Sequence, residues 1–571
     1  MKPGKAISSR FSKLSPFLSF IILTPLLLPA CTTRPTPVPV APITGLPQGT
    51  DGFPWWNDAV FYEIFVRSYA DSDGDGIGDI NGLISKLDYL NDGNPETMTD
   101  LGVTGLWLMP IFPSPSYHGY DVTDYYAVNP QYGTLEDFKR LLSEAHRRGI
   151  RVIIDFVMNH TSSDHPWFKE SLDPNSPRRN WYIWSEDNPG FNGPWGQKVW
   201  HPSGGSYYYG IFYEGMPDLN YANPEVRAEM EKAARFWLND VGVDGFRLDA
   251  AKHMIEDGQV QENTAATHAW WEEFRQVYRV ANPQSLTVGE VWSSTDQVAR
   301  YLEGDELDLA FNFDLAETVL KDVSDGRSFS IRTSLESSSR TIPPGQFATF
   351  LTNHDQNRTM YRLVEDADKA RLAATVLLTL PGVPFMYYGE EIGMVGMKPD
   401  ENLRTPMQWS ADANAGFTTG DFPWRLVNDD YKQVNVALET ADPASLLSRY
   451  RSLVHLRNQH AALRVGEYSS VESNSNQVLA FLRVSQAESL LVLINMGKEP
   501  ISDLSLSLQK GPLSGTYQVV PLMGADFLEK KVRLLPPAIS PAGGFENYQP
   551  LPVGTPLPGY ASLVIQLQTA K

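Results

Sequence analysis

Eight short apolar runs alternating with amphipathic stretches over residues 59–391 predict an α/β protein built on a closed (β/α)8 TIM barrel. Strand-like runs that alternate with helical ones are the mark of a parallel sheet, and eight is the number that closes such a sheet into a barrel. After residue 465 the pattern changes to short two-residue alternation, as in QVLAFLRV and SLLVLINM. This predicts a separate C-terminal antiparallel β-sandwich domain at 466–571.

The N-terminus precedes this pattern and is set apart from it. Lys2, Lys5, Arg10 and Lys13 lead into the apolar run PFLSFIILTPLLLPA, too short for a comfortable membrane span. The run ends in LPAC, which resembles a bacterial lipobox, with Cys31 as the lipidation site. Cys31 is the only cysteine, so no intrachain disulfide is possible. Residues 1–30 are therefore expected to be a lipoprotein signal peptide. Residues 31–50, with Pro35, Pro37, Pro39, Pro42 and Pro47, are expected to be a semi-rigid tether. Together they imply an exported protein, lipid-anchored at a bacterial cell surface and touching membrane only through that anchor.

Composition narrows the partners. Hydrophobic residues at 42% and charged residues at 20% are ordinary for a globular chain. Residues 1–30 carry four basic and no acidic side chains, so the remainder holds 43 basic against 68 acidic groups. Such a surface repels nucleic acid and anionic lipid, while a neutral substrate is indifferent to it. The 14 Trp and 25 Tyr suit sugar binding or a large core. A monomer is expected.

The barrel strands are predicted within 59–66, 102–112, 151–160, 245–250, 286–292, 307–313, 347–355 and 382–391. Helices are predicted at 135–149, 224–242 and 445–464, and the catalytic unit spans 51–465. Between strands three and four lie roughly eighty residues, more than one βα unit needs. Residues 161–217, rich in Trp, Tyr, Gly, Pro and Asn, therefore read as an inserted irregular domain. Its Trp167, Trp181, Trp184, Trp195 and Trp200 serve either as sugar platforms or as packing.

In such a barrel the reactive residues sit at the C-terminal ends of the strands. Strand three ends in Asp155, Asn159 and His160, strand four in Arg247 and Asp249, strand five in Glu290, and strand seven in His354 and Asp355. A single Asp or His at such a place is usually a cap or a salt-bridge partner. A set spread consistently over four strands points to one chemical site. In GFRLD, period-two alternation puts Arg247 and Asp249 on one side of the strand, so the cation favours an ionised Asp249.

DFVMNH, GFRLDAAKH, GEVW and FLTNHD resemble the successive signature regions of the α-amylase family, glycoside hydrolase family 13. MPDLN (216–220), of an intermediate type, and GVPFMYYGEEIG (382–393) resemble two further regions. The resemblance spans about residues 55–465 and implies the barrel, a B domain after strand three and a C-terminal β domain. It makes Asp249 the nucleophile, Glu290 the general acid/base and Asp355 a transition-state stabiliser. Retaining glycoside hydrolysis needs such a pair, one carboxylate attacking the anomeric carbon and one acid protonating the leaving oxygen. Anionic Asp249 and Asp355 are expected to disfavour ionisation of Glu290. The resemblance further implies that Tyr120, His160 and His354 line the subsite of the sugar being cleaved. Lys252 and His253 would reach the leaving-side sugars, and Asp400 and Arg404 the non-reducing side.

After strand one, DSDGDGIGD places Asp71, Asp73, Asp75 and Asp79 among glycines, a pattern that can wrap oxygen ligands around Ca2+. A related loop in some family members adds the Ile77 carbonyl. A second calcium at Asn159 and the His253 carbonyl is a further option of the resemblance. The activity implied is an endo-acting α-amylase hydrolysing α-1,4-glucosidic bonds in starch and maltodextrins, favoured by the export signal, the KH pair and the small Ala250 after the nucleophile. RTPMQWSADANAGFTTG (404–420) resembles α-glucosidases and trehalose-forming transglycosylases, which makes these the alternative. A non-catalytic glucan-binding lipoprotein ranks below both, because the three carboxyl residues are all present.

Overall fold

The computed structural model describes residues 45–528 and 533–570. Cys31, the 1–30 segment and most of the 31–50 stretch lie outside the described residues. Eight parallel strands close into a barrel in the order β1 (Phe61–Ile64), β2 (Gly105–Leu108), β3 (Arg151–Phe156), β7 (Gly245–Leu248), β8 (Leu286–Gly289), β9 (Leu309–Phe311), β10 (Phe347–Thr349) and β11 (Val383–Tyr387), with β11 pairing back onto β1. The strands are three to six residues long, shorter than the apolar runs that announce them. The runs continue past the last ladder hydrogen bond into the loops that carry polar groups to the rim.

Two-residue alternation decides which side chains face inward. Phe61, Trp107, Ile153, Val288, Phe311 and Phe385 pack inside the barrel, while Tyr62, Leu106, Val152, Ile154 and Phe246 join the core under the helices. Phe61 stacks on Phe385 with ring centroids 4.5 Å apart. The space for it comes from Gly105 across the ladder, where a Cβ would lie 2.6 Å from the Phe61 ring.

The outer helices follow from capping and stripe. Leu135–Arg147 starts at a capping box between Thr134 and Asp137 and buries Phe138, Leu141, Leu142 and Ala145. Two predicted helices are interrupted. Pro224–Arg235 passes into a π-helical turn, Phe236–Val241, that ends at Gly242 with φ +95 and leaves Trp237 fully buried, its indole N–H on the Tyr125 carbonyl at 2.7 Å. The last helix breaks at His460 into Leu446–Gln459 and Ala461–Val465.

Between β3 and β7 a small sheet forms from β4 (Trp184–Ser185), β5 (Trp200–Ser203) and β6 (Ser206–Tyr209), in the order β4-β6-β5. Its return segment is pinned to the end of β3: Leu219 N–H donates to the Asn159 carbonyl and Thr161 N–H to the Pro217 carbonyl. The MPDLN stretch thus lies against the rim.

The C-terminal strands β12 (Glu467–Ser473), β13 (Val478–Val484), β14 (Ser489–Asn495), β15 (Leu506–Leu508), β16 (Tyr517–Met523), β17 (Phe545–Tyr548) and β18 (Ser562–Thr569) pair antiparallel in the order β16-β18-β14-β13-β12-β15-β17. β12 pairs with β13 along 467–471 and with β15 at 472–473. The two ladders share that strand and enclose a common core including Leu482, Leu493, Ile565, Leu506 and Phe545. The N-terminal boundary shifts. Pro47, expected in an unpacked tether, is buried with its carbonyl on the Arg151 guanidinium, and Thr50 meets Arg464, so the barrel unit engages chain before residue 51. Among the described residues no helix is long and apolar enough to cross a membrane.

Candidate active site

Inward alternation carries polar residues to the last layer of the barrel. Glu63 on β1 lies in register with Trp107 on β2, and Asp155 on β3 with Arg247 on β7. All four are buried. A buried guanidinium needs acceptors on its N–H groups, and Arg247 finds three carboxylates. Its Nη1 lies 2.9 Å from Asp155 Oδ1 and 2.6 Å from Asp249 Oδ1, and its Nη2 lies 2.8 Å from Glu290 Oε2. Asp155 is further held by the Trp107 indole and the Tyr120 hydroxyl, and burial pushes its carboxyl up to about 7 against the pull of Arg247.

The chain turns sharply after Asp249. Ala250 adopts φ +49, a left-handed conformation uncommon outside glycine and asparagine, and its N–H points at Glu290 Oε2 at 3.2 Å. One turn thus aims the Asp249 carboxylate inward and gives Glu290 a backbone donor. The Glu290 carboxyl is held above its ordinary value, chiefly by burial and then by Asp249 and Asp355, with Arg247 opposing. The direction is the one the sequence leads one to expect. The dominant cause is desolvation, with the neighbouring anions second.

Across the cleft, His354 Nδ1 lies 2.5 Å from Glu63 Oε1, and its Nε2 lies 2.7 Å from the Tyr120 hydroxyl and 3.2 Å from Asp355 Oδ2. Arg404 donates to Asp355 Oδ1 at 2.9 Å and to the His354 carbonyl at 3.1 Å. Burial would push the Asp355 carboxyl up, but His354 and the Arg404 and Arg247 guanidiniums outweigh it and hold it well below the carboxylate range. His160 is buried behind this wall with Nε2 on the Tyr120 carbonyl at 3.1 Å, and burial lowers it to about 4, so it stays neutral. Asp400 stands further out, 3.4 Å from Arg404 and paired with Lys398.

On the other side of Glu290 opens a pocket of about 310 Å³ lined by Trp195, Phe212, Ala250, Lys252, His253, Glu290 and Trp292. Lys252 is fixed by the Trp292 carbonyl and Glu262, and His253 by the Gln261 carbonyl. Trp292 is 47% exposed and stacks flat on Phe313; Trp195 is 59% exposed and leans on Phe212. Of the five tryptophans in the insert, Trp195 alone lines this pocket. Trp181 is buried, and Trp167, Trp184 and Trp200 pack against the cores.

Comparison with known sequences decides the family. Residues 63–466 match the family described as the α-amylase catalytic domain. The chain belongs to the α-amylase family. Among its relatives, α-amylase 3 of Dictyoglomus thermophilum is 42% identical over 452 residues, 78% of this chain and 86% of that protein. The trehalose synthase/amylase TreS of Mycolicibacterium smegmatis is 35% identical over 535 residues, 81% of this chain and 87% of that one. The crystal structure of an α-amylase from H. orenii superposes with a TM-score of 0.78 at 41% identity, covering 89% of this chain and 99% of that one. The chain is thus a glycoside hydrolase family 13 enzyme on a TIM barrel with a C-terminal antiparallel sheet domain.

In this family-13 enzyme the acidic loop after β1 gathers its carboxylates. Asp71, Asp73 and Asp79 bring carboxylate oxygens within 4.8 Å of one another, and Asp75 accepts the Ile77 N–H through Oδ1 at 2.7 Å. Among the described residues no basic side chain pairs with the three, and Asp73 is raised: the Asp75 N–H lowers it, but desolvation and the carboxylates of Asp75, Asp71 and Asp79 prevail. A donor set of unpaired carboxylates on a glycine-bent loop fits a hard cation. The loop also reaches the cleft, since the backbone N–H of Trp424 donates to the Gly76 carbonyl and its ring stacks on Tyr117, whose ring lies under Arg404. At the second location suggested by the sequence, Asn159 Nδ2 donates directly to the His253 carbonyl at 2.6 Å, near the buried carboxyls of Asp218 and Glu256.

Sequence reading missed Glu63, Trp292, Tyr117 and Trp424. Glu63 left a signal, a carboxylate on the inward phase of an apolar strand. The others left none beyond being aromatic.

Proposed function

We propose that this enzyme is a retaining, endo-acting α-amylase hydrolysing α-1,4-glucosidic bonds in starch and maltodextrins. The observation that carries the reading is the bridging of Asp249 and Glu290 by the single guanidinium of Arg247. It orients two carboxyl groups toward one point, while burial raises the Glu290 carboxyl above its ordinary value and so favours the acid form. Asp249 attacks the anomeric carbon as Glu290 passes its proton to the leaving oxygen, which cleaves the C–O bond and forms a glycosyl ester. Glu290 then takes a proton from water, whose oxygen displaces Asp249 and regenerates both groups. Anionic Asp355, braced by His354 and Arg404, favours the cationic character of the sugar in the transition state. Tyr120, His160 and His354 line the pocket of the sugar being cleaved, with Asp400 and Arg404 beyond it. Lys252 and His253, with the exposed Trp292 and Trp195, receive the leaving-side sugars.

Asp71, Asp73 and Asp79 would hold Ca2+, which when bound neutralises the loop and braces the Tyr117–Trp424 wall. The reading includes export and a lipid anchor at Cys31, and a monomeric enzyme.

Product analysis on maltoheptaose tests the activity. Mixed maltooligosaccharides with the α-anomer first support it; glucose alone would make the enzyme an exo-acting α-glucosidase. The relatedness to a trehalose synthase/amylase favours transglycosylation as the second reading, and trehalose from maltose would establish that. A fluorinated glycosyl fluoride should leave its label on Asp249.

A further inference from the structure

Glu63 belongs to none of the strand-end motifs, yet it is buried on the innermost layer of the site, 291 positions from the histidine it touches. A hydrogen-bond inventory around His354 limits what the ring can be. Glu63 Oε1 stands 2.5 Å from Nδ1, and Asp355 Oδ2 stands 3.2 Å from Nε2. Carboxylate oxygens accept hydrogen bonds and donate none, so a ring faced by one at each nitrogen is matched only when both nitrogens carry hydrogen. The Tyr120 hydroxyl tells the same story. It lies 2.7 Å from His354 Nε2 and 3.0 Å from Asp155 Oδ2 and has one proton. With a doubly protonated ring, Nε2–H donates to Tyr120 and Tyr120 donates to Asp155, so every contact is donor to acceptor. With a neutral ring protonated on Nδ1, Tyr120 must turn its proton to Nε2, and Asp355 then faces a lone pair.

We propose that Glu63 is a positioning residue that keeps His354 an imidazolium, so that the sugar subsite holds a permanent N–H donor and a cation against Asp355. Charges reach this ring from every side: Glu63 on β1, Asp155 on β3, Arg247 on β7, Asp355 beside it, and Arg404 on the loop after β11. The net balance agrees with the geometry. Burial works against the cation, but Asp355 and Glu63 lift His354 to about 9. Glu63 is itself raised by burial, with His354 and Arg247 restraining it. The neighbouring Tyr387, in register with Glu63, spends its hydroxyl on the Leu403 carbonyl, which leaves His354 as the partner of Oε1.

The test is Glu63→Gln, which keeps the shape and an acceptor oxygen and removes the charge. Histidine 13Cε1 resonances of the intact enzyme are followed from pH 5 to 9.5, the His354 signal being assigned by its disappearance in His354→Asn. The expected result is a ring that stays doubly protonated through pH 8 in the parent and titrates at least one unit lower in Glu63→Gln. In kinetics on a maltotrioside, kcat/KM of Glu63→Gln relative to the parent should fall about tenfold further at pH 8 than at pH 6, and Glu63→Asp should recover part of it. A His354 signal that is neutral at pH 7 in the parent, or a titration unchanged by Glu63→Gln, overturns the proposal. A loss of activity equal at both pH values does so too, since it marks Glu63 as merely structural. Only the kinetic arm rests on the amylase reading. If Glu63→Gln unfolds, the parent titration alone decides, because a neutral ring at pH 7 refutes the idea.

Discussion

Arg247 lies between Asp249 and Glu290, 2.6 Å from one and 2.8 Å from the other, and is itself fully buried. Its planar fork lets two N–H groups point at two different carboxylates at once, which the single ammonium of lysine cannot reproduce. Arg247→Lys should therefore lower kcat/KM on maltooligosaccharides by about 10²–10³, the scale of losing one preorganised donor. Removing the charge in Arg247→Met should also destabilise the fold by about 3–5 kcal/mol, because three buried carboxylates lose their partner. Steady-state kinetics and urea unfolding read the two effects separately.

Burial makes Glu290 hold its proton above the ordinary carboxylate value of 4.5. The acid form does the work, so activity should decline as pH rises through that raised value, giving an alkaline limb. Glu290→Gln should cut kcat on maltooligosaccharides by about 10²–10⁴. A glycosyl fluoride needs no proton to leave, so on that substrate the variant should retain most of its rate for forming the glycosyl–enzyme, with no alkaline limb. An equal loss on both substrates would count against the assignment.

The three-carboxylate cluster predicts a calcium-dependent stability. Asp73 is exposed, and its loss disturbs little else in the loop. Asp73→Asn should abolish binding of one ion by direct calcium analysis while leaving the melting temperature in chelator unchanged or slightly higher, since like charges are relieved. The parent should gain about 2.7 kcal/mol when the ion is present at a hundred times its Kd. An Asp73→Asn enzyme that still binds the ion would remove Asp73 from the site.

Trp292 offers an exposed ring beside Glu290, backed by Phe313. Trp292→Ala should raise KM for maltoheptaose about tenfold, equivalent to about 1.4 kcal/mol, and leave KM for a short activated maltoside nearly unchanged. An equal effect on both would place the ring's contribution elsewhere.

Much of the site is legible along the chain because strand alternation is local. GFRLD puts Arg247 and Asp249 on one face whatever the rest of the protein does, and DFVMNH likewise sends Asp155 inward. The same rule sends Glu63 inward, yet only a closed barrel gives that carboxylate a partner. The acidic loop shows the same limit: spacing lines up its aspartates, but only the folded loop brings oxygens of Asp71, Asp73 and Asp79 within 4.8 Å of one another.

What the sequence determined by itself was the periodicity, hence the barrel, the change to an antiparallel sheet near residue 466, and the strand ends that carry polar groups. Closure of the barrel decided the rest. Glu63 meets His354 and the Trp424 loop meets Gly76 because residues hundreds of positions apart are brought together by closure of the barrel. Such neighbours leave no periodic trace, since backbone pairing and side-chain packing, not spacing along the chain, choose them.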